Sequence, residues 1–125
     1  MARPSAQPRT DPASVLTKAV LKSAELLELP SVVLARILGV SEASISRLFS
    51  GSRQINPENK EGELALLLVR VYRSLDALVG TDASQRKAWM QSHNRGLNGR
   101  PIELIQRAEG LAAVLSYLDA MRAPA

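Results

Sequence analysis

Apolar residues along this chain return at helical spacing, and nowhere do they alternate at period two for long enough to make a strand. The pattern predicts an all-α fold. Val15, Leu16, Ala19, Val20, Leu26 and Leu27 lie largely on one side of a helix over about 12–29, with Lys18, Lys22 and Glu25 elsewhere. Asp11 can cap that helix, and Pro12 fits its first position, where the missing N–H costs nothing. Pro30 stops it, and Ser31 is the expected cap of "VVLARILG", which Gly39 closes in left-handed backbone. "VSEASISRLFSG" follows, with Ser41 as cap and Gly51 as stop. Pro57 then opens a helix over about 58–79 in which Leu64, Leu67, Leu68, Val71, Leu75 and Leu78 keep helical spacing. Its expected length is about 33 Å at about 1.5 Å per residue.

Gly80 breaks the pattern and Asp82 is the expected cap of "TDASQRKAWM". After a loop rich in Gly and Asn, Pro101 begins "IELIQRA", and "GLAAVLSYLDAMR" makes a last helix with Leu111, Val114, Leu115, Leu118 and Met121 along one stripe. The chain therefore divides into an arm over 1–10, interrupted by Pro4 and Pro8 and expected to be flexible, a helical unit over 11–80, and a smaller one over 81–125.

With 125 residues the chain can bury one sizeable core, or two small modules that share one. It has no cysteine and one histidine, so a disulfide framework, a thiolate metal site and a histidine cluster are excluded, and no cofactor is expected. No run approaches eighteen apolar residues, so the expectation is a cytoplasmic protein with no membrane partner. The net charge of +4 permits binding to a polyanion without demanding it. The excess is uneven: residues 1–60 carry eight Lys and Arg against five acids, and residues 61–125 carry eight against seven.

The more basic half also holds the clearest motif. A helix-turn-helix needs a small residue where its helices cross, a turn residue tolerant of positive φ, and a buried stripe that sets the angle of the second helix. In "SVVLARILGVSEASISRLFSG" these requirements fall on Ala35, on Gly39 four residues later, and on Val40, Ile45 and Leu48. The stripe leaves Ser41, Glu42, Ala43, Ser44, Ser46, Arg47 and Ser50 toward the exposed side, a short polar face suited to a major groove about 12 Å wide. Arg47 is the expected base contact, because a guanidinium can bridge guanine O6 and N7. Ser41 and the helix N-terminus can take a phosphate, with Arg53 and Arg36 flanking. Glu42 at the groove would repel phosphate unless it accepts from a cytosine amino group.

A second unusual stretch is "WMQSHNRGLNGRPIELIQ", with the only tryptophan, Trp89, and the only histidine, His93. Trp89 is expected to anchor a core. Asn94, Gly96, Asn98 and Gly99 are residue types that tolerate left-handed backbone or bond their own main chain, and Leu97 is the one apolar residue of the loop, expected to tuck inward. No carboxylate or second histidine stands near His93, and there is no glycine-rich phosphate loop or nucleophile with its base. The chain is expected to be no enzyme and to take no small-molecule substrate.

The order tryptophan, then "N..L.G.PIELI", then "G...V...L" resembles the C-terminal domain of ParS/Xre/MbcA-type antitoxins. The helix-turn-helix before it is similar to the Xre-like domain of the same proteins, and the likeness spans about residues 20–122. The residues that carry it are Trp89, Asn94, Leu97, Gly99, Pro101, Glu103, Leu104, Ile105, Gly110, Val114 and Leu118. The resemblance implies an Xre-like helix-turn-helix and dimerisation domain over 11–80 and a small three-helix toxin-binding domain over 81–125. It implies a homodimer that binds its own promoter DNA and neutralises a RES-domain toxin, an enzyme that degrades NAD, by direct binding. Leu111, Leu115, Leu118 and Met121 of the last helix, with Arg122, Ala123, Pro124 and Ala125 of the tail, are then the expected toxin-binding residues. Two departures stand out: His93 replaces the usual proline before the asparagine, and the chain ends "DAMRAPA" where relatives finish glycine-valine-aromatic. The alternative to an antitoxin is a free-standing regulator that dimerises through its C-terminal helices.

Overall fold

The computed structural model describes residues 11–122; the arm over 1–10 and Ala123, Pro124 and Ala125 lie outside the described residues. Seven helices and no strand occur among these: α1 (Pro12–Leu26), α2 (Ser31–Leu38), α3 (Glu42–Ser50), α4 (Lys60–Val79), α5 (Ala83–Gln91), α6 (Pro101–Leu104) and α7 (Ala108–Arg122). The all-α expectation holds.

Local chemistry sets most of the boundaries. The Asp11 carboxylate accepts from the Ser14 N–H at 3.3 Å, and Pro12 takes the first turn of α1. The helix ends three residues earlier than the sequence predicts. Leu29 precedes Pro30, which disfavours helical backbone there, so the chain turns back first, with Glu28 at φ 57° and the Leu29 N–H on the Ala24 carbonyl at 2.9 Å. Ser31 is not a cap. Pro30 occupies that position in extended backbone and its carbonyl accepts from the Leu34 N–H at 3.0 Å, leaving Ser31 as the first helical residue. α4 begins after Asn59, later than predicted, because Pro57 lies in a turn that packs against Gly62; its 20 residues span about 30 Å.

α4 is the central element: α1, α2, α5 and α7 pack on it, while α3 packs on α2 and α1 and α6 on α5 and α7. Leu34, Leu38, Ile45 and Leu48 of the first helices join Leu68 and Leu75 of α4, and Ile105, Leu111 and Leu118 beyond it, in one continuous buried cluster. Removing one such leucine to alanine costs about 2–5 kcal/mol. Gly80, at φ 80°, stops α4 as its sequence position predicts, yet the core does not stop there. Polar ties fix the remaining elements: the Ile55 N–H donates to Thr17 Oγ1 at 2.8 Å, holding the segment after α3 on α1, and Ser74 Oγ donates to Asp119 at 2.6 Å, holding α7 on α4.

Candidate nucleic-acid interface and C-terminal module

The α2–turn–α3 unit is built as its spacing predicts. Gly39 sits at φ 71°, and both its N–H and that of Val40 reach the Ala35 carbonyl, at 2.9 and 3.0 Å. Ala35, Ile45 and Leu48 are buried and Val40 half-buried, which sets the angle of α3 against α2. Ser41 caps α3 by accepting from the Ser44 N–H at 3.1 Å. Ser41, Glu42, Ala43, Ser46, Arg47 and Ser50 are exposed. Glu42 stands in the first turn, where the positive end of the helix dipole favours a carboxylate, so its presence needs no base contact.

Three of the expected DNA contacts take other positions. Ser44 is buried, and its hydroxyl accepts from Ser41 at 3.1 Å and from Arg47 at 3.2 Å; it supports the face without belonging to it. One result is that the Arg47 guanidinium is steadied from below while no acid pairs with it within 4 Å among the described residues. Arg53 does not flank the helix as a free cation: it is half-buried and pairs with Glu61 at 2.7 Å. Burial alone would push the Glu61 carboxyl up, but the Asn56 N–H at 2.9 Å and the Arg53 guanidinium outweigh it and hold the group below its ordinary value. Arg36 is exposed and donates to Gln106 Oε1 at 3.2 Å, tying α2 to the segment after α6. Sequence reasoning missed Phe49, which is 54% exposed on α3 beside a shallow groove shared with Lys18, Leu21 and Lys22 of α1.

The second motif builds the turn between α5 and α7. Asn94 and Gly99 exchange backbone hydrogen bonds at 2.8 and 3.2 Å, and the Asn94 side chain accepts from the Leu97 N–H at 3.0 Å. Asn98 takes the left-handed conformation at φ 57°, and Leu97 tucks in half-buried, as expected. Arg100 closes the loop by donating to the Gln91 carbonyl at 2.7 Å and to Glu103 at 2.8 Å, and Pro101 starts α6. Leu104 then sits between two glycines: its side chain lies against Gly99 and its carbonyl against Gly110, where any Cβ would overlap it. Trp89 is half-buried, tilted on Tyr117 with ring centres 6.4 Å apart, and Gly96 leaves room for that tyrosine. His93 is exposed.

The last helix corrects an expectation. Leu111, Leu115 and Leu118 are buried against α4 and the loop module, so their apolar surface is taken up inside the monomer and is not free to anchor a partner. Met121, 54% exposed, and Arg122 remain outside, while Ala123, Pro124 and Ala125 lie beyond the described residues. A further residue escaped the sequence. Arg86 is buried, donates to the Leu26 carbonyl at 3.3 Å, stands 3.7 Å from Asp76 and lies 6.0 Å from the centre of the Tyr72 ring, so one guanidinium joins α5 to α1 and α4. Nothing in "SQRKAW" distinguishes it from the exposed Lys87 beside it.

No site for a metal emerges from histidine, cysteine or carboxylate groups among the described residues, and no described helix is long and apolar enough to cross a membrane. Two family models match the chain. The antitoxin Xre-like helix-turn-helix domain matches residues 6–70, and the antitoxin Xre/MbcA/ParS C-terminal toxin-binding domain matches residues 74–123. The two matches meet inside α4, the helix that both halves use. No curated protein matches the chain.

Proposed function

We propose, for a chain that belongs to the Xre/ParS-type antitoxins, that it neutralises a RES-domain toxin that degrades NAD and, as a homodimer, represses its own operon. The observation that carries this reading is the joining of two modules on one helix: a capped, polar-faced α3 with an unpaired Arg47, and the loop-braced α5–α7 unit of a toxin-binding domain. The role is binding, not catalysis. α3 enters the major groove, Arg47 bridges a guanine, and the α3 N-terminus with Ser41 takes a phosphate. Toxin contacts fall on Met121, Arg122 and the tail over 123–125, since the inward stripe of α7 is occupied by α4.

The second reading is a free-standing regulator that dimerises through its C-terminal helices, for which Met121 and Arg122 are the exposed contacts, since Leu111, Leu115 and Leu118 are buried within the molecule. Co-expression of the tagged chain with the product of the neighbouring gene separates the two. A RES-type protein recovered in fixed ratio supports the antitoxin reading; a chain recovered alone, shifting its own promoter, supports the regulator.

A further inference from the structure

Almost all the large apolar side chains of α1 and α4 face inward, but two do not. Val15 on α1 and Leu66 on α4 are each 50% exposed, and both line one groove between these helices, with Leu16, Ala19 and Val69 in its walls. Ala19 also borders the shallow groove that reaches Phe49, so apolar surface continues along α1. On α4 the groove is lined at Gly62, Leu66, Val69 and Arg73, of which Gly62 and Val69 are buried within the molecule and Leu66 and Arg73 stand exposed.

The charges at the two ends of that stripe are opposite. Glu63 lines one end and Arg73 the other, ten residues apart and so separated by about 15 Å along the axis. Arg73 is exposed and has no acidic partner within 4 Å among the described residues, while Glu63 has only an exposed pair with Lys60 one turn away, at 3.0 Å. A surface with one charge at each end of an apolar seam is complementary to itself when turned about a two-fold axis. An antiparallel α4 from a second molecule brings Arg73 level with Glu63 at both ends and sets each Leu66 beside the turn at Val69 and Arg70 of the other.

We infer that a second copy of this chain occupies the α1/α4 groove, with the two α4 helices antiparallel and Arg73 of each molecule paired with Glu63 of the other. This rests on the reading of the free protein as a homodimer and gives that dimer its contact surface. Neither the outward face of α3 nor the outer face of α7 lines the groove, so DNA and toxin can both be engaged while the dimer persists.

The test is sedimentation equilibrium of the full chain, with a circular-dichroism melt of each variant to confirm folding. Wild type is expected at twice the chain mass, and Leu66→Glu, at a half-exposed position that leaves the core intact, raises the dimer dissociation constant at least about tenfold, the size of a ~1.4 kcal/mol loss. Glu63→Arg and Arg73→Glu each weaken the dimer, and the two exchanges combined restore most of its affinity. A Leu66→Glu dimer as tight as wild type, with no rescue in the charge-exchanged pair, overturns the interface and leaves the homodimer reading standing. A monomeric wild type overturns both. A variant that stays dimeric but no longer binds toxin assigns the groove to the toxin and likewise overturns the inference.

Discussion

Replacing Gly110 by alanine separates two physical arguments of opposite sign. Gly110 lies in the first turn of α7, in helical backbone, where propensity alone says that alanine stabilises by about 1 kcal/mol. Its α-carbon, however, lies against the main chain of Leu104, and an added Cβ would overlap the Leu104 carbonyl. A backbone atom held by the turn into α7 cannot swing aside as a flexible side chain would. Forcing a methyl group into such a contact costs about 1–3 kcal/mol, and a contact with main chain belongs at the upper end. The net expectation is a loss of about 1–2 kcal/mol, lowering the melting temperature by several degrees. Because the shift opens the angle between α6 and α7, toxin affinity falls while promoter affinity, which depends on α3, is kept. Urea unfolding of Gly110→Ala beside Ser116→Ala, an exposed position of the same helix, is the assay. If both variants were stabilised as propensity predicts, the close approach of Leu104 to Gly110 would not be what fixes this turn.

Arg86→Met should destabilise by about 2 kcal/mol, since it leaves Asp76 and the Leu26 carbonyl without their partner, whereas Lys87→Met at the exposed neighbour should be nearly neutral; chemical unfolding of both checks it. Arg47→Ala should cost about 1–3 kcal/mol in promoter affinity and relax preference at one base pair with no change in melting temperature, measured by fluorescence anisotropy on operator variants. The Asp119 carboxyl is held below its ordinary value by the Ser74 hydroxyl first, against some burial, and then by Arg122 and Arg70. A carboxyl depressed in the folded state contributes stability that is complete above the ordinary carboxylate range and is lost as the pH falls through its folded value. Ser74→Ala should therefore flatten the acid limb of the stability–pH curve, and an unchanged limb would remove this bond from the account.

Helix order and most ends were legible because prolines, glycines and caps act within one or two turns of where they stand: Asp11, Gly39, Ser41, Gly51, Gly80 and Asp82 all do what their types predict. The loop was legible for the same reason, since Asn94, Leu97 and Gly99 close on one another. What periodicity hides is the partner. The stripe of Leu111, Leu115 and Leu118 announces a buried face without saying whether α4 or another protein buries it, and α4 does. Charged side chains hide more, because Arg53 is neutralised from the next helix and Arg86 reaches back sixty residues to Leu26. A division at Gly80 also looks natural in the sequence, yet cutting there would strip α7 from α4 and expose the shared core. Surface changes at Met121 and Arg122 are thus cleaner probes of docking than truncation.

Whether this chain neutralises an NAD-degrading toxin by direct binding is decided by titration. Purified RES-type toxin from the neighbouring gene is held at fixed concentration and its consumption of NAD is followed as the full chain is added. A linear fall to zero activity at a fixed molar ratio is expected, with Arg47→Ala inhibiting as well as wild type because the two faces are separate. NAD consumption that continues undiminished in severalfold excess of the chain would contradict it.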